Sequence, residues 1–150
     1  MTAQPDHGLK LVLGRRYRFA ASHRLHTDRL SEEENARVYG KCNNPYGHGH
    51  NYVVEVHFSG EPDTKTGMVA NIAELDKYVQ REVLDTFDHR KLSVDVPAFR
   101  TSVATTENLC REIFARLKGF PAARLERVRI EETGKNSFEY TGEEPKGGLL

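Results

Sequence analysis

From Leu9 to His23 the odd-numbered positions run Leu9, Leu11, Leu13, Arg15, Tyr17, Phe19, Ala21 and His23, an apolar alternation interrupted only at Arg15. A two-residue period puts those side chains on one face of a strand, and Gly14 marks a point where the strand would bend. The same period returns through His48, His50, Tyr52, Val54, Val56 and Phe58 and closes on the turn-rich Ser59-Gly60-Glu61-Pro62-Asp63, predicting a second strand. Two more strands are expected, from about Arg127 to Glu132 and from Asn136 to Tyr140, around a tight Gly134-Lys135 turn.

Between these lie helical patterns. Ser31 and Glu34 form a capping box and Gly40 a stop, so Glu32 to Tyr39 reads as a short helix. Asn71 caps a longer one with Glu74 at its third position, and Ile72, Leu75, Val79, Val83 and Phe87 trace its apolar stripe. Thr105 or Thr106 begins the last helix, Leu109, Ile113, Phe114 and Leu117 face inward, and Gly119 ends it. The order predicts an α+β architecture: one domain over residues 1–150, a four-stranded antiparallel sheet and two helices on one face. The last residues, about 143–150, read as a solvated, disordered tail.

Composition narrows the function classes. Lys+Arg and Asp+Glu both number 22, so no net field draws the protein to nucleic acid or an anionic membrane. No apolar run approaches the roughly 20 residues of a membrane span, and the start lacks the pattern of a signal peptide. Two cysteines are no disulfide framework, which points to a reducing, cytoplasmic setting.

The chemistry concentrates in Cys42-Asn43-Asn44-Pro45-Tyr46-Gly47-His48-Gly49-His50, with Gly47 and Gly49 removing bulk between the imidazoles. His48 and His50 share a strand face. Antiparallel pairing would bring the end of the first strand, His23, to the start of the second. Three neutral histidines leave zinc an open fourth position, the arrangement of a catalytic site. Cys42 has three readings: a fourth ligand that closes the site, a free thiol whose pKa a nearby cation lowers, or a small buried hydrophobe. Cys110, beside Leu109 and Ile113, reads as packing, and His7, His26 and His57 as solvent-facing or secondary.

Glu132 continues the parity of Val128 and Ile130, so a carboxylate enters an apolar face. Its partner is a planar ligand edge with two N–H donors, or else water at the strand end. In Asp88-His89 a carboxylate can orient an imidazole, or the pair simply forms a helix C-terminal turn.

Several segments in order carry a family resemblance: Phe19-Ala20-Ala21-Ser22-His23-Arg24-Leu25, Leu30 to Asn35, Cys42 to Tyr52, Thr66-Gly67-Met68-Val69, Asp88-His89, Thr105-Thr106-Glu107-Asn108 and Glu132-Thr133. From about Tyr17 to Glu143 the sequence resembles the 6-pyruvoyl-tetrahydropterin synthase family. The resemblance implies the T-fold, with trimers forming a barrel and two trimers a homohexamer. It implies a lyase that converts 7,8-dihydroneopterin triphosphate to 6-pyruvoyl-tetrahydropterin, for tetrahydrobiopterin synthesis. His23, His48 and His50 would bind zinc and Cys42 would be the base. Asp88 and His89 would relay protons, His89 from a neighbouring subunit. Glu132 would hold the pyrimidine edge of the pterin, Thr106 and Glu107 would line its pocket, and basic side chains such as Arg24 or Lys41 would meet the phosphates.

The nearest rival is 6-carboxy-tetrahydropterin synthase of queuosine biosynthesis, which typically has a shorter spacing between cysteine and His-Gly-His than the five residues separating Cys42 from His48. A branch that replaces the cysteine with glutamate is disfavoured by Cys42. A catalytically silent zinc- or pterin-binding homologue and a generic zinc hydrolase are the readings from other classes. Tyr46 and His26 depart from the family pattern without removing a catalytic group.

Overall fold

The computed structural model describes residues 11–142. The start of the first expected strand, His7 and the expected disordered tail lie outside the described residues. Strands β1 (Leu11–His23) and β2 (His48–Gly60) pair antiparallel along their full length, from Leu11 opposite Gly60 to His23 opposite His48. Strand β4 (Arg124–Thr133) adds to β2, and β5 (Asn136–Tyr140) to β4. A two-residue strand, β3 (Arg90–Lys91), lies parallel to Ala21 and Ser22 on the other edge of β1. Among the described residues the sheet therefore has five strands rather than four, in the order β3-β1-β2-β4-β5. Two residues carry too little periodicity to announce a strand.

The expected bend at Gly14 is absent: pairing runs through it without a register shift. Gly14 lies opposite His57, where an added Cβ would come 3.3 Å from Cε1 of that ring. The glycine makes room for a side chain. His57 is accordingly not solvent-facing: its side chain is 17% exposed, with Nε2 2.7 Å from Glu55 Oε1 and 3.2 Å from Arg127 Nη2.

One face of the sheet is apolar. Phe19, Ala21, Tyr52, Val54, Val56, Phe58, Val128 and Ile130 are buried there with the helices. Each large side group so buried contributes about 1.5–3 kcal/mol. Helix α1 (Glu32–Tyr39) has the expected capping box, and α5 (Thr106–Leu117) is capped by Thr105, whose hydroxyl accepts the Asn108 N–H. Helix α2 (Ile72–Val79) opens into a π-helical turn, Gln80–Leu84, before the short α3 (Asp85–Phe87). Leu75, Val79, Val83 and Phe87 recur every four residues, and a straight α-helix would swing that stripe about 40° per step. The wider π turn compensates, and all four are buried.

Arg15, the interruption in the β1 alternation, grips α2: its Nε and Nη2 donate to Asp76 at 2.9 and 2.8 Å, and the Tyr17 hydroxyl donates to the same carboxylate at 2.7 Å. Beyond β3, α4 (Leu92–Asp95) and a 3-10 turn, Pro97–Arg100, bury Leu92, Val96 and Phe99. No helix among the described residues is long and apolar enough to cross a membrane.

Candidate metal centre and pterin pocket

The β1–β2 register sets His23 opposite His48 and Ala21 opposite His50. Parity turns the three imidazoles to the face that carries Tyr52 and Val54, and their ring centroids lie 4.7–5.1 Å apart. One ligand atom from each ring falls within 4.8 Å of the others. The His23 ring is buried, with Nδ1 2.8 Å from the Ala104 carbonyl oxygen. A carbonyl only accepts, so Nδ1 carries the hydrogen and Nε2 keeps its lone pair. That Nε2 stands 3.3 Å from His48 Nε2. His50 Nε2 is buried and has no hydrogen-bond partner among the described residues. Buried polar atoms are rarely left unpaired. Here the orphan nitrogen converges with two others, which is a donor set for a metal cation. Burial holds the His23 and His50 imidazoles below their ordinary value, which keeps them neutral and competent as ligands.

Gly47 is required for this approach. Its φ is +73°, and a Cβ there would meet the His23 carbonyl oxygen at 2.8 Å. Gly49 is not so constrained: its Cβ would lie 3.6 Å from the Ala21 oxygen.

Cys42 lies on the 3-10 turn Gly40–Asn43. That turn is stitched to the segment following β1 by Leu25 N–H to the Cys42 carbonyl (2.7 Å) and Asn43 Nδ2 to the Leu25 carbonyl (2.8 Å). The thiol is free, half-buried, and outside the group of converging nitrogens. The protein by itself pushes its pKa up, through burial first and the charge of Glu132 second. The lowering expected from the sequence is thus not a property of the polypeptide alone.

Glu132 sits where the β4–β5 pairing shifts register: Glu131 faces Ser137, but Thr133 faces Asn136. The resulting bulge leaves Glu132 out of the ladder. The Thr106 hydroxyl donates to its Oε2, and Asn136 Nδ2 donates to Oε1 at 3.0 Å. Burial opposes its ionisation, but these two hydrogen bonds, with the His50 and His23 fields, hold the carboxyl below its ordinary value. Tyr52, fully buried, places its hydroxyl 3.5 Å from His23 Nδ1, and burial with the Glu132 charge pushes its pKa up.

Asp88 and His89 do point together. Asp88 Oδ1 accepts the Ala20 N–H at 3.0 Å and lies 3.0 Å from His89 Nδ1. The His89 N–H in turn donates to the Ala20 carbonyl at 2.6 Å, and His89 has φ +59°, a strained value for a non-glycine residue. A cavity of about 430 Å³ lies between His89 and the β1–β2 end carrying Ala21, Ser22 and His50. The His89 ring is 82% exposed. Glu107 is exposed on the first turn of α5, and among the described residues no hydrogen bond ties it to the cluster.

Residues 13–143 match the family described as 6-pyruvoyl tetrahydropterin synthase. The protein belongs to that family. The 6-pyruvoyl tetrahydrobiopterin synthase of Poecilia reticulata is 52% identical over 126 residues, covering 83% of this chain and 86% of the relative. The Homo sapiens protein of the same name is 48% identical over 132 residues, covering 87% and 91%. The structure of Caenorhabditis elegans 6-pyruvoyl tetrahydropterin synthase superposes with a TM-score of 0.86 at 46% identity, over 90% of this chain and 97% of that one. The T-fold of that family is the fold seen here.

In this family member, sequence reasoning missed Ala104, Tyr52 and Asn136. Ala104 acts through its backbone, which no side-chain pattern reveals. Tyr52 shares the parity of the histidines and reads only as a strand residue. Asn136 reads as the start of β5, and nothing local distinguishes it from an ordinary hairpin asparagine.

Proposed function

We propose that the protein is a zinc-dependent 6-pyruvoyl-tetrahydropterin synthase, a lyase that converts 7,8-dihydroneopterin triphosphate to 6-pyruvoyl-tetrahydropterin and triphosphate. The observation that carries this reading is the convergence of the His23, His48 and His50 nitrogens, with Cys42 a free thiol and the Glu132 carboxyl held below its ordinary value. Zinc fits the donor set. Zn–N bonds of 2.0–2.1 Å in a tetrahedron separate neighbouring nitrogens by about 3.3–3.4 Å, and the His23 and His48 Nε2 atoms stand at 3.3 Å. The Ala104 carbonyl on His23 Nδ1 is the second partner that orients a ligating imidazole. Bound there, zinc supplies Lewis acidity to the oxygens of the substrate's side arm.

The protein's own groups then divide the work. Glu132 accepts two N–H donors from the pyrimidine edge of the pterin as a charge-assisted pair, and Thr106 steadies it. Glu107 lines the entrance. Cys42 Sγ takes a proton from a carbon of the substrate's side arm once its thiolate is populated. Asp88 fixes the His89 tautomer with Nδ1 protonated, leaving Nε2 to accept and return protons.

The homohexamer belongs to the same proposal. Among the described residues, β3 covers only Ala21 and Ser22 on the outer side of β1, so a long strand edge is left for a neighbouring copy, with β5 as the opposite edge. His89, which precedes β3 on that edge, would serve the site of a neighbour. Both cysteines are free thiols, in keeping with a cytoplasmic setting.

Incubating the zinc-loaded protein with 7,8-dihydroneopterin triphosphate and weighing the products tests the assignment. A pyruvoyl pterin with free triphosphate is expected. A carboxylated pterin with acetaldehyde selects the queuosine-pathway reaction, and pterin binding without turnover selects a silent homologue.

A further inference from the structure

The β4–β5 hairpin holds a polar relay that the reaction does not itself require. The Lys135 N–H donates to Thr133 Oγ1 at 3.1 Å, the Thr133 hydroxyl donates to Asn136 Oδ1, and Asn136 Nδ2 donates to Glu132 Oε1 at 3.0 Å. The Thr133 bond fixes which way the Asn136 amide faces, because only its oxygen can accept. From the opposite side, α5 brings the Thr106 hydroxyl to Glu132 Oε2. Each oxygen of the carboxylate thus has one donor from the protein and one lone-pair site left. The terminal torsion of a glutamate is broad and soft. Two donors from two elements lock its plane, at a bulge that leaves Glu132 out of the strand ladder.

We propose that Asn136 is a positioning residue: without touching substrate, it orients the Glu132 carboxylate so that both remaining lone pairs meet the paired N–H donors of a pterin edge. The proposal rests on Glu132 being the pterin anchor. Its effect is pre-organisation, since the carboxylate is ordered before the ligand arrives and binding does not have to order it. Asn136 therefore governs how tightly the ring is held and leaves the proton transfers at Cys42 and His89 alone.

Three variants of the zinc-loaded protein test this: Asn136→Ala, Asn136→Asp and Glu132→Gln. Each is assayed for steady-state kinetics with 7,8-dihydroneopterin triphosphate and for fluorescence-detected binding of phosphate-free dihydroneopterin. Asn136→Ala is expected to raise KM and Kd roughly tenfold, and Asn136→Asp roughly a hundredfold, because it removes the donor and sets a second negative charge against Glu132. Both should keep kcat within about threefold. A role confined to the turn predicts the reverse order, since aspartate is a good turn residue and alanine is not; that order, or unchanged KM and Kd in both variants, overturns the proposal. Asn136→Asp decides alone should Asn136→Ala fail to fold. If Glu132→Gln binds dihydroneopterin as tightly as the unaltered protein, the anchor reading itself is lost. If Glu132→Gln binds weakly while both Asn136 variants bind normally, only the positioning role is lost.

Discussion

His23 and His48 face each other across the β1–β2 ladder with their Nε2 atoms 3.3 Å apart, although 25 positions separate them in sequence. The His23 hydrogen is committed to the Ala104 carbonyl, so its lone pair points at its partner. Lone pairs at that distance repel unless His48 Nε2 carries a hydrogen or a cation sits between them. Burial disfavours the proton at His23, and the orphan His50 nitrogen beside them favours the cation.

The approach of β2 to His23 depends on one glycine. Gly47→Ala inserts a Cβ 2.8 Å from the His23 carbonyl oxygen at a φ of +73°, so the strand must move away. Metal affinity should fall by about 10- to 100-fold, the usual scale for disturbing the support of a ligand. Gly49→Ala, with an ordinary 3.6 Å contact, should bind metal as before. Competitive titration against a zinc chelator separates the two, and equal affinities would refute the assigned role of Gly47.

Cys42→Ala should retain a full equivalent of metal and lose about 10²- to 10⁴-fold in turnover. Metal analysis decides the matter: if the ion leaves with the thiol, the sulfur is a ligand and the base must be sought elsewhere.

The same thiol should react slowly with iodoacetamide at neutral pH in the metal-free protein, because burial and the Glu132 charge both raise its pKa. Removing one cause in Glu132→Gln should speed alkylation, and zinc loading should speed it further. Cys110, 1% exposed and pushed up to about 12 by burial, should stay unmodified throughout, so a single labelled site is expected by mass.

As the proposed pterin anchor, Glu132 should set an acid limit on pterin binding. Its carboxyl lies below the ordinary value of 4.5, so the charged form and its stabilising bonds are present above that value and are lost as pH falls through the lower folded-state value. Dihydroneopterin affinity should therefore be insensitive to this group from neutral pH down through 4.5, and fall only in more acid solution. Thr106→Val deletes the donor on Oε2 while burial remains, which should move that limit to higher pH. An unmoved limit in the Kd–pH curve would show that Thr106 does not stabilise the charge.

Asn35 tests the scaffold apart from the site. Fully buried, it donates to the carbonyls of Thr27 (2.9 Å), Leu30 (3.1 Å) and Ser31 (3.0 Å) and accepts the Thr27 N–H at 2.9 Å. Asn35→Ala leaves the Leu30 carbonyl and the Thr27 N–H without that partner, while the Thr27 and Ser31 carbonyls keep backbone donors, and should lower unfolding free energy by about 2–3 kcal/mol in a denaturant titration. Metal affinity should be unchanged, because Asn35 makes no contact with the three histidines.

Much of this protein is written in local periodicity. Alternation along β1 and β2 placed His23, His48 and His50 on one face, and the parity of Val128 and Ile130 sent Glu132 inward, because a pleated strand converts sequence spacing directly into direction. Capping signals at Ser31, Asn71 and Thr105 marked helix starts through equally local hydrogen bonds. The motif segments carried the family, and with it the roles proposed for Cys42, Asp88, His89 and Thr106.

Other features arise only when distant segments meet. The Ala104 carbonyl reaches His23 from 81 residues away, Asp88 finds the Ala20 N–H across 68, and Thr106 finds Glu132 across 26. The π turn in the stripe of α2, the two-residue β3 and the bulge at Glu132 are each departures from regular geometry that packing imposes. Periodicity tells a residue which way to face. Only the folded polypeptide decides what it will face, because a hydrogen-bond partner is chosen by distance in space, and that distance exists only after the elements have packed.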